Sequence, residues 1–496
     1  MFIIFTAQNN IYIYQLKYEV VIGLEVHIQL NLKSKIFAAD NAAYGALPNA
    51  HVSPLTLGHP GTLPVLNEKA IAHAVRLGLA CGCDITPVTY FARKHYFYAD
   101  LPKGYQITQD KTPICRNGFI KIHAADGKDK RILLSHIHLE EDAGKSIHDS
   151  HDEHTLIDLN RAGVTLMEMV TQPVLSSPEE AHAFLSSIRR LVRYLHICDG
   201  NMEEGSLRCD ANISLRLKGS DTLGTKVEIK NLNSMRFLQR ALHFEIQRQE
   251  DLLTNGKPIQ QETRSYDSHK DITFSMRDKE SAHDYRYFPE PDIPPVVISK
   301  EYISDVRLHM PSLPDEVITK YTTKFGLSMP EAIALIDQPE MMGYFENLIQ
   351  HTHHYRAAAN WMLGNVQSFL HEEKITIADF ILEAHTLAAL INIVEKGLIN
   401  HSAAAQRLLP ALIKNPSEEP LLLAEQMNLL QNSNEEDLIA LVNKAVSMFP
   451  EKVAEYKKGR KGLLGLFIGE AMKISGGKAD PQLLQKLMKE ALDQQS

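Results

Sequence analysis

The stretch VVIGLEVHIQL, residues 20–30, decides how the fold is read. Side chains of a strand alternate between its two faces. Val20, Ile22, Leu24, Val26, Ile28 and Leu30 therefore share one face, and Gly23, Glu25, His27 and Gln29 share the other. One side is built for a core; the other sets a carboxylate beside an imidazole.

The pattern recurs. In RCDANISL, Arg208, Asp210, Asn212 and Ser214 oppose Cys209, Ala211, Ile213 and Leu215, and in KVEIK, Lys226, Glu228 and Lys230 oppose Val227 and Ile229. A solvated sheet face gives the same alternation. Three such strands with mixed acids, bases and amides also fit a concave polar sheet face. In VTLMEMV (164–170), Glu168 has Leu166 and Val170 on its own face and methionines on the other. A carboxylate so placed finds a partner or shifts its pKa upward. That partner is either a buried cation such as Arg161 or a divalent metal ion, for which carboxylate oxygens are natural ligands. In HIHLEEDAGKS (136–146), parity groups His136, His138, Glu140 and Asp142 and leaves Glu141 with the apolar face. Parity thus favours His138 and Glu140 as ligands, provided the strand continues that far.

ARKHYFYADLPKGYQITQ (92–109) interleaves Arg93, Lys94 and Lys103 with Tyr96, Phe97, Tyr98 and Tyr105. Such a mixture holds a nucleotide or a tRNA end by charge and stacking, or forms a surface loop whose aromatics dip into the core. HTHHY (351–355) reads as a solvated helix face, because histidines at those offsets do not converge on one ion. There is no G-x-S-x-G elbow, no amidase signature and no phosphate loop of the G-x-x-x-x-G-K-[ST] kind.

At 496 residues the chain exceeds one ordinary core, and about 150 residues per domain implies three. The expected fold class is an α+β cradle on a mixed or antiparallel sheet over 1–308, an all-α domain over 309–410 and an all-α tail over 411–496. SSPEEAHAFLSSIRRLVRYLHI (176–197) reads as a helix with Ser177 as N-cap, Pro178 at its first position and Glu180 completing a capping box. A second helix runs from about Met235 to Leu253 and stops at Asn255-Gly256. The prolines of FPEPDIPPVV (288–297) end regular structure, and Asp480-Pro481 opens a final helix. Residues 1–18 read as an extension or an extra edge strand, not a signal peptide. No window approaches the ~20 apolar residues of a membrane span. Five scattered cysteines with no C-x-x-C pair fit a reducing cytoplasm and no four-thiolate zinc site. A net charge of −9 leaves nucleic acid to a local basic patch, such as KKGRKG (457–462).

Together GLEVHIQL, KSKIF, HPGTLPVLN, RKHYFYADLPKGYQITQ, HLEEDAGKS, DLNRAG, LMEMV, MEEGSLRCDANISLR, KNLNS, QETRSYD and DYRYFPEPD resemble one family: the B subunit of the aspartyl/glutamyl-tRNA(Asn/Gln) amidotransferase, the GatB family. FPEKVAEYKKGRKGLLGLFIGEAMKISGGKADPQLL resembles its YqeY-like, tRNA-binding tail. The resemblance implies an ATP-dependent kinase and transamidase that activates Glu on tRNA-Gln, or Asp on tRNA-Asn, as an acyl phosphate. Ammonia would come from a partner amidase/glutaminase subunit, and a small third subunit would complete a cytoplasmic heterotrimer. The family's magnesium ligands map onto Glu25, His27, Glu141 and Glu168, which overrides parity at Glu140; histidine is an unusual magnesium ligand, so its contact is expected through water.

In the same blocks, the resemblance assigns Lys94, Glu204 and Asp210 to catalysis, and Arg93, Arg161, Arg208, Asn212 and Lys230 to nucleotide or substrate binding. In the tail, Lys457, Lys458, Arg460 and Lys461 are the expected tRNA contacts. The chain departs from the family at Thr165, where proline is usual, at Ala99, and in TQPV (171–174); Thr165 bears on how Glu168 is presented. Two competing readings are a non-catalytic tRNA-binding scaffold and a free-standing metal-dependent hydrolase.

Overall fold

A computed structural model describes residues 4–7, 10–13, 17–123, 127–148, 154–276, 284–431 and 434–494. The chain divides into two compact units, Met1–Pro314 and Asp315–Ser496.

The first unit is organised by a 13-stranded sheet. Its long central strands are β1 (Tyr18–Gln29), β4 (Asp129–Glu141), β5 (Thr165–Thr171) and β6 (Leu207–Leu217). Toward one edge β4 is followed by β3 (Tyr105–Thr108), β2 (Ala92–His95) and β10 (Phe288–Pro289). Toward the other, β6 is followed by β7 (Val227–Leu232), β8 (Thr263–Asp267) and β9 (Ile272–Ser275). The spatial order is β9-β8-β7-β6-β1-β5-β4-β3-β2-β10. Every neighbouring pair on this path is antiparallel except β7 with β8, so the sheet is mixed, as expected.

The alternation read from residues 20–30 is realised. Ile22, Leu24, Val26 and Ile28 are at most 1% exposed, whereas Glu25, His27 and Gln29 are only partly buried. Each fully buried side chain of this kind contributes about 1.5–3 kcal/mol. Helices α2 (Pro178–Tyr194) and α3 (Met235–Thr254) pack against the sheet and bury Phe184, Ile188, Val192, Leu238 and Leu242.

Ser177 caps α2 by accepting from the Glu180 N–H at 3.2 Å. The reciprocal half of the expected capping box does not form. The Glu180 carboxylate accepts instead from the Ser176 N–H at 2.7 Å and from Lys130 at 2.7 Å, because a buried-side cation outcompetes one backbone amide.

Of the four prolines of 288–297, Pro291, Pro294 and Pro295 lie in the irregular segment 290–295, where regular structure stops as expected. Pro289 alone is in a strand, pairing with β2 at the sheet edge, where a missing N–H leaves no ladder bond unmade, and Val296–Val297 then pairs with Val88–Thr89. Among residues 1–18, Ile4–Ala7 pairs with Asn10–Ile13 in a hairpin of its own rather than extending the main sheet. HTHHY is a turn leading into a helix that begins at Tyr355, not a helix face.

The second unit is helical from Pro314–Lys324 to Pro481–Gln494. Leu438, Val442, Tyr456, Phe467, Leu484 and Met488 belong to a core cluster that runs from Leu438 to Leu492. Asp480 caps the last helix, accepting from the N–H groups of Gln482 at 2.8 Å and Leu483 at 3.1 Å.

In α1 (Glu68–Ala80), burial and the charges of Arg76 and Lys69 push His73 down to about 4. An unfolded histidine titrates near 6.5. Between these values the folded chain binds fewer protons than the unfolded one, so stability from this residue is present above pH 6.5 and falls as pH drops toward 4. His73→Gln should therefore lessen the acid-side decline in the urea midpoint over that window while leaving the neutral-pH slope unchanged.

Candidate functional site

Four central strands bring one polar row together. In register, His138 of β4 stands opposite Glu168 of β5, Glu168 opposite His27 of β1, and His27 opposite Arg208 of β6. The Nε2 atoms of His27 and His138 lie 3.5 and 3.4 Å from Glu168 Oε2. Glu140, two residues along β4 on the same face, reaches the same point: its carboxylate oxygens are 3.9 Å from His27 Nε2 and 3.5 Å from His138 Nε2. His27, Glu140 and Glu168 are the one group among the described residues whose possible metal-ligand atoms all lie within 4.8 Å of one another.

Electrostatics follow from this crowding. Burial opposes charge on His27, but the hydrogen bond to Glu168 and the Glu140 carboxylate outweigh it and push the imidazole up to about 9. Burial acts to raise Glu168; His27, His138 and Lys94 instead hold it well below the usual carboxylate range. His138 is raised in spite of its burial, by Glu140 and Glu168. His27 and Glu168 are therefore held as an imidazolium–carboxylate pair, with His138 pushed in the same direction.

The next row holds Glu25 opposite Asp210. Burial and the nearby Glu168 charge raise Glu25, and Asn212 donates to it at 2.9 Å. Lys230 bridges Asp210 at 3.2 Å and Glu228 at 3.0 Å. Arg208 and Arg161 meet on Asp142, with nitrogens 2.7 and 3.4 Å from its Oδ2. Lys94 projects between the rings of Tyr285 and Tyr96, 4.7 and 5.8 Å from their centroids, and its charge acts on Glu168. Residues from six separate strands thus gather on one sheet face, with Arg161 joining them from the bend before β5.

Three expected members are placed elsewhere. Glu141 does not join Glu25, His27 and Glu168. Strand β4 continues through it, paired with Thr165, so alternation turns its side chain to the opposite face. There it accepts from Lys103 at 2.6 Å and from the Ile107 N–H at 2.8 Å. Glu140 occupies the position beside His27 instead, as parity favours. Arg93 is bound by Glu290 through two bonds of 2.7 and 2.9 Å and by Asp292 at 3.2 Å, and it lies 4.4 Å from the Tyr105 ring. Glu204 sits in an exposed turn whose N–H donates to Asn201 Oδ1 at 3.3 Å; Gly205 of that turn abuts Arg208.

Thr165 begins β5 opposite Glu141, with its hydroxyl buried and unpaired among the described residues. In the tail, Arg460 pairs with Glu455 at 2.8 Å and Lys461 with Asp493 at 2.9 Å, while Lys457 and Lys458 are exposed. Sequence reasoning did not commit to His138 and Glu140, although alternation in HIHLEED signals both. It also missed Asp142 as the joint between two arginines.

The first unit is a mixed-sheet domain that presents acids, imidazoles, lysines and arginines from one face. Residues 20–304 match the family described as GatB/GatE catalytic domain, and residues 343–492 match the GatB domain. Relatives named as the B subunit of aspartyl/glutamyl-tRNA(Asn/Gln) amidotransferase occur in Pelagibacter ubique, at 43% identity over 98% of this chain and 100% of the relative, and in Thermodesulfovibrio yellowstonii, at 43% over 95% and 99%. A Synechococcus relative of the same name is 44% identical over 97% of this chain and 98% of its own. The chain belongs to the B-subunit family of the aspartyl/glutamyl-tRNA(Asn/Gln) amidotransferases. Membership places it among the ligases that form carbon–nitrogen bonds with glutamine as amido donor, as one subunit of such an enzyme.

Glu141→Gln should destabilise the first unit by about 3–5 kcal/mol in urea unfolding, because it leaves the mostly buried Lys103 ammonium without its counter-charge. Adding Lys103→Met to that variant should recover most of the loss.

Proposed function

We propose that this protein activates the side-chain carboxylate of Glu on tRNA-Gln, or of Asp on tRNA-Asn, with ATP and then amidates it. The row of His138, Glu168, His27 and Arg208, joined by Glu140, is the observation that carries this reading. A carboxylate is a poor acceptor for ammonia. Its oxygen must first attack the terminal phosphorus of ATP, releasing ADP and leaving phosphate on the acyl carbon. Ammonia then attacks that carbon, and phosphate departs as the amide forms. Both steps gather negative charge on phosphate oxygens, so positioning and charge neutralisation do most of the work.

The residues suit that demand. Glu140 and Glu168, with His27 beside them and Glu25 one row away, would hold a magnesium ion, and the ion would supply charge to neutralise phosphate oxygens. Two buried atoms in the same cluster, His138 Nδ1 and Arg208 Nε, lack a hydrogen-bond partner among the described residues, which fits a site completed by a ligand. Arg208 and Arg161, held by Asp142, present guanidinium groups to phosphate or carboxylate. Lys94 and Lys230 add point charges on either side of the row. Arg93 is reassigned to holding the β2–β10 edge through Glu290, and Glu141 to anchoring Lys103.

Ammonia would be supplied by an amidase/glutaminase partner in the same complex, and a small third chain would complete a cytoplasmic heterotrimer. Lys457, Lys458, Arg460 and Lys461 are the tail groups assigned to tRNA. No helix among the described residues is long and apolar enough to cross a membrane. A tRNA-binding scaffold without chemistry would have no use for His27, His138, Glu140 and Glu168 converging, largely buried, on one point.

The test is reconstitution with the partner subunits and assay of glutamine- and ATP-dependent amidation of Glu-tRNA-Gln and Asp-tRNA-Asn. Glu168→Gln should reduce ATP-dependent activation about 10²- to 10³-fold, the scale of losing a main charge-stabilising group, with tRNA affinity within a factor of about three. Unimpaired amidation by that variant would favour the scaffold.

A further inference from the structure

The block 92–109 is split by strand alternation into two halves with different fates. Arg93 and His95 face an edge cluster: Arg93 is engaged by Glu290, and His95 stacks on Phe288 with centroids 5.0 Å apart. Lys94 and Tyr96 face the polar row. Past the strand end the chain leaves two large aromatic side chains in solvent, Phe97 at 86% and Tyr98 at 58% exposure. Two adjacent exposed rings offer an apolar surface for a ligand to stack on.

Phe97 is exposed yet seated. Gly104 adopts φ +72°, and a Cβ there would come within 3.1 Å of the Phe97 ring. The bare glycine backbone thus lets the ring lie down with its other side open.

From Tyr98 a line of rings runs along the edge of the cradle. Tyr98 meets Tyr96 at 5.8 Å, Tyr96 meets Tyr285 at 6.2 Å, and Tyr285 meets Tyr287 at 5.9 Å, all edge-to-face. The series touches the sheet at Tyr96, whose hydroxyl donates to Gln106 Oε1 at 3.3 Å, and the Gln106 amide donates in turn to the Glu141 carbonyl of β4 at 2.6 Å; Tyr287, at the far end, is again exposed. Lys94 lies over Tyr285 and Tyr96, a positive charge midway along the ladder.

We propose that this ladder, entered at Phe97 and Tyr98, is the stacking platform for the unpaired 3′ end of the tRNA substrate and delivers its aminoacyl group to the row. Single-stranded RNA is bound by stacking its bases on aromatic faces while cations track its phosphates. Rings supply the faces, and Lys94 the charge. A protein partner of the complex would cover Phe97 and Tyr98 permanently and would need no ring series with a lysine midway along it.

This rests on the tRNA-amidation reading, so the experiment separates the two. In the reconstituted heterotrimer, affinity is measured for uncharged tRNA and for the same tRNA trimmed of its unpaired 3′ nucleotides. Tyr98→Ala and Phe97→Ala, both at exposed positions, should each weaken intact tRNA roughly 5- to 150-fold, the range for losing one base stack. Neither should alter binding of the trimmed tRNA, and Tyr98→Phe should restore intact-tRNA affinity because the ring, not the hydroxyl, does the stacking. Equal losses on both tRNAs, or no loss on either, would overturn the platform. Absence of tRNA binding by the unsubstituted complex would instead overturn the amidation reading beneath it. Failure of the alanine variants to assemble with the partner subunits, with Tyr98→Phe assembling normally, would assign the rings to a protein–protein interface and overturn the platform.

Discussion

The first unit depends on one constraint: long antiparallel strands, sealed on one face by a core, have no freedom to choose which side chains face the other way. Ile22, Leu24, Val26 and Ile28 hold β1 against the core. A slip of one residue would bury Glu25 and His27 and expose all four. The price of that slip fixes the register, and the register sets His138, Glu168, His27 and Arg208 side by side. The polar row is therefore a consequence of hydrophobic burial on its reverse side.

What the row does chemically follows from how its charges are balanced. Glu168 lies between two imidazoles, and each member stabilises the ionised form of the next against the desolvation that burial imposes. Around it, Asp142 holds Arg208 and Arg161, while Asp210 and Glu228 hold Lys230. These cations are preorganised by carboxylates rather than by water, the arrangement that makes a charge effective toward an anionic substrate. Glu141 does different work on the other side of the same strand, where Lys103 and the Ile107 amide anchor it.

Much of this was legible in the chain. Alternation in VVIGLEVHIQL, RCDANISL and KVEIK announced a sheet with one polar face, and Ser177-Pro178 and Asp480-Pro481 announced two helix starts. Their signals are local: period, cap and proline act within a few residues. In the proline-rich 288–297 only Pro289 departs from the reading, because edge pairing tolerates proline and nothing in the local sequence says which strand is an edge. The capping box at Glu180 half-failed for a similar reason, since Lys130, distant in sequence, competes for the carboxylate.

By itself the sequence determined the family, the polar-faced sheet and the identity of Glu25, His27 and Glu168 as one side's acids and base. Only the tertiary structure decided between Glu140 and Glu141. That choice depends on whether β4 remains paired through its last residue, and the pairing partner, Thr165, comes from a strand elsewhere in the chain. Tertiary structure likewise sorted Arg93 from Lys94 and built the tyrosine ladder from residues 96–98 and 285–287. Parity names two faces, but which face meets the core is set by long-range packing, and that information is spread over strands far apart in sequence.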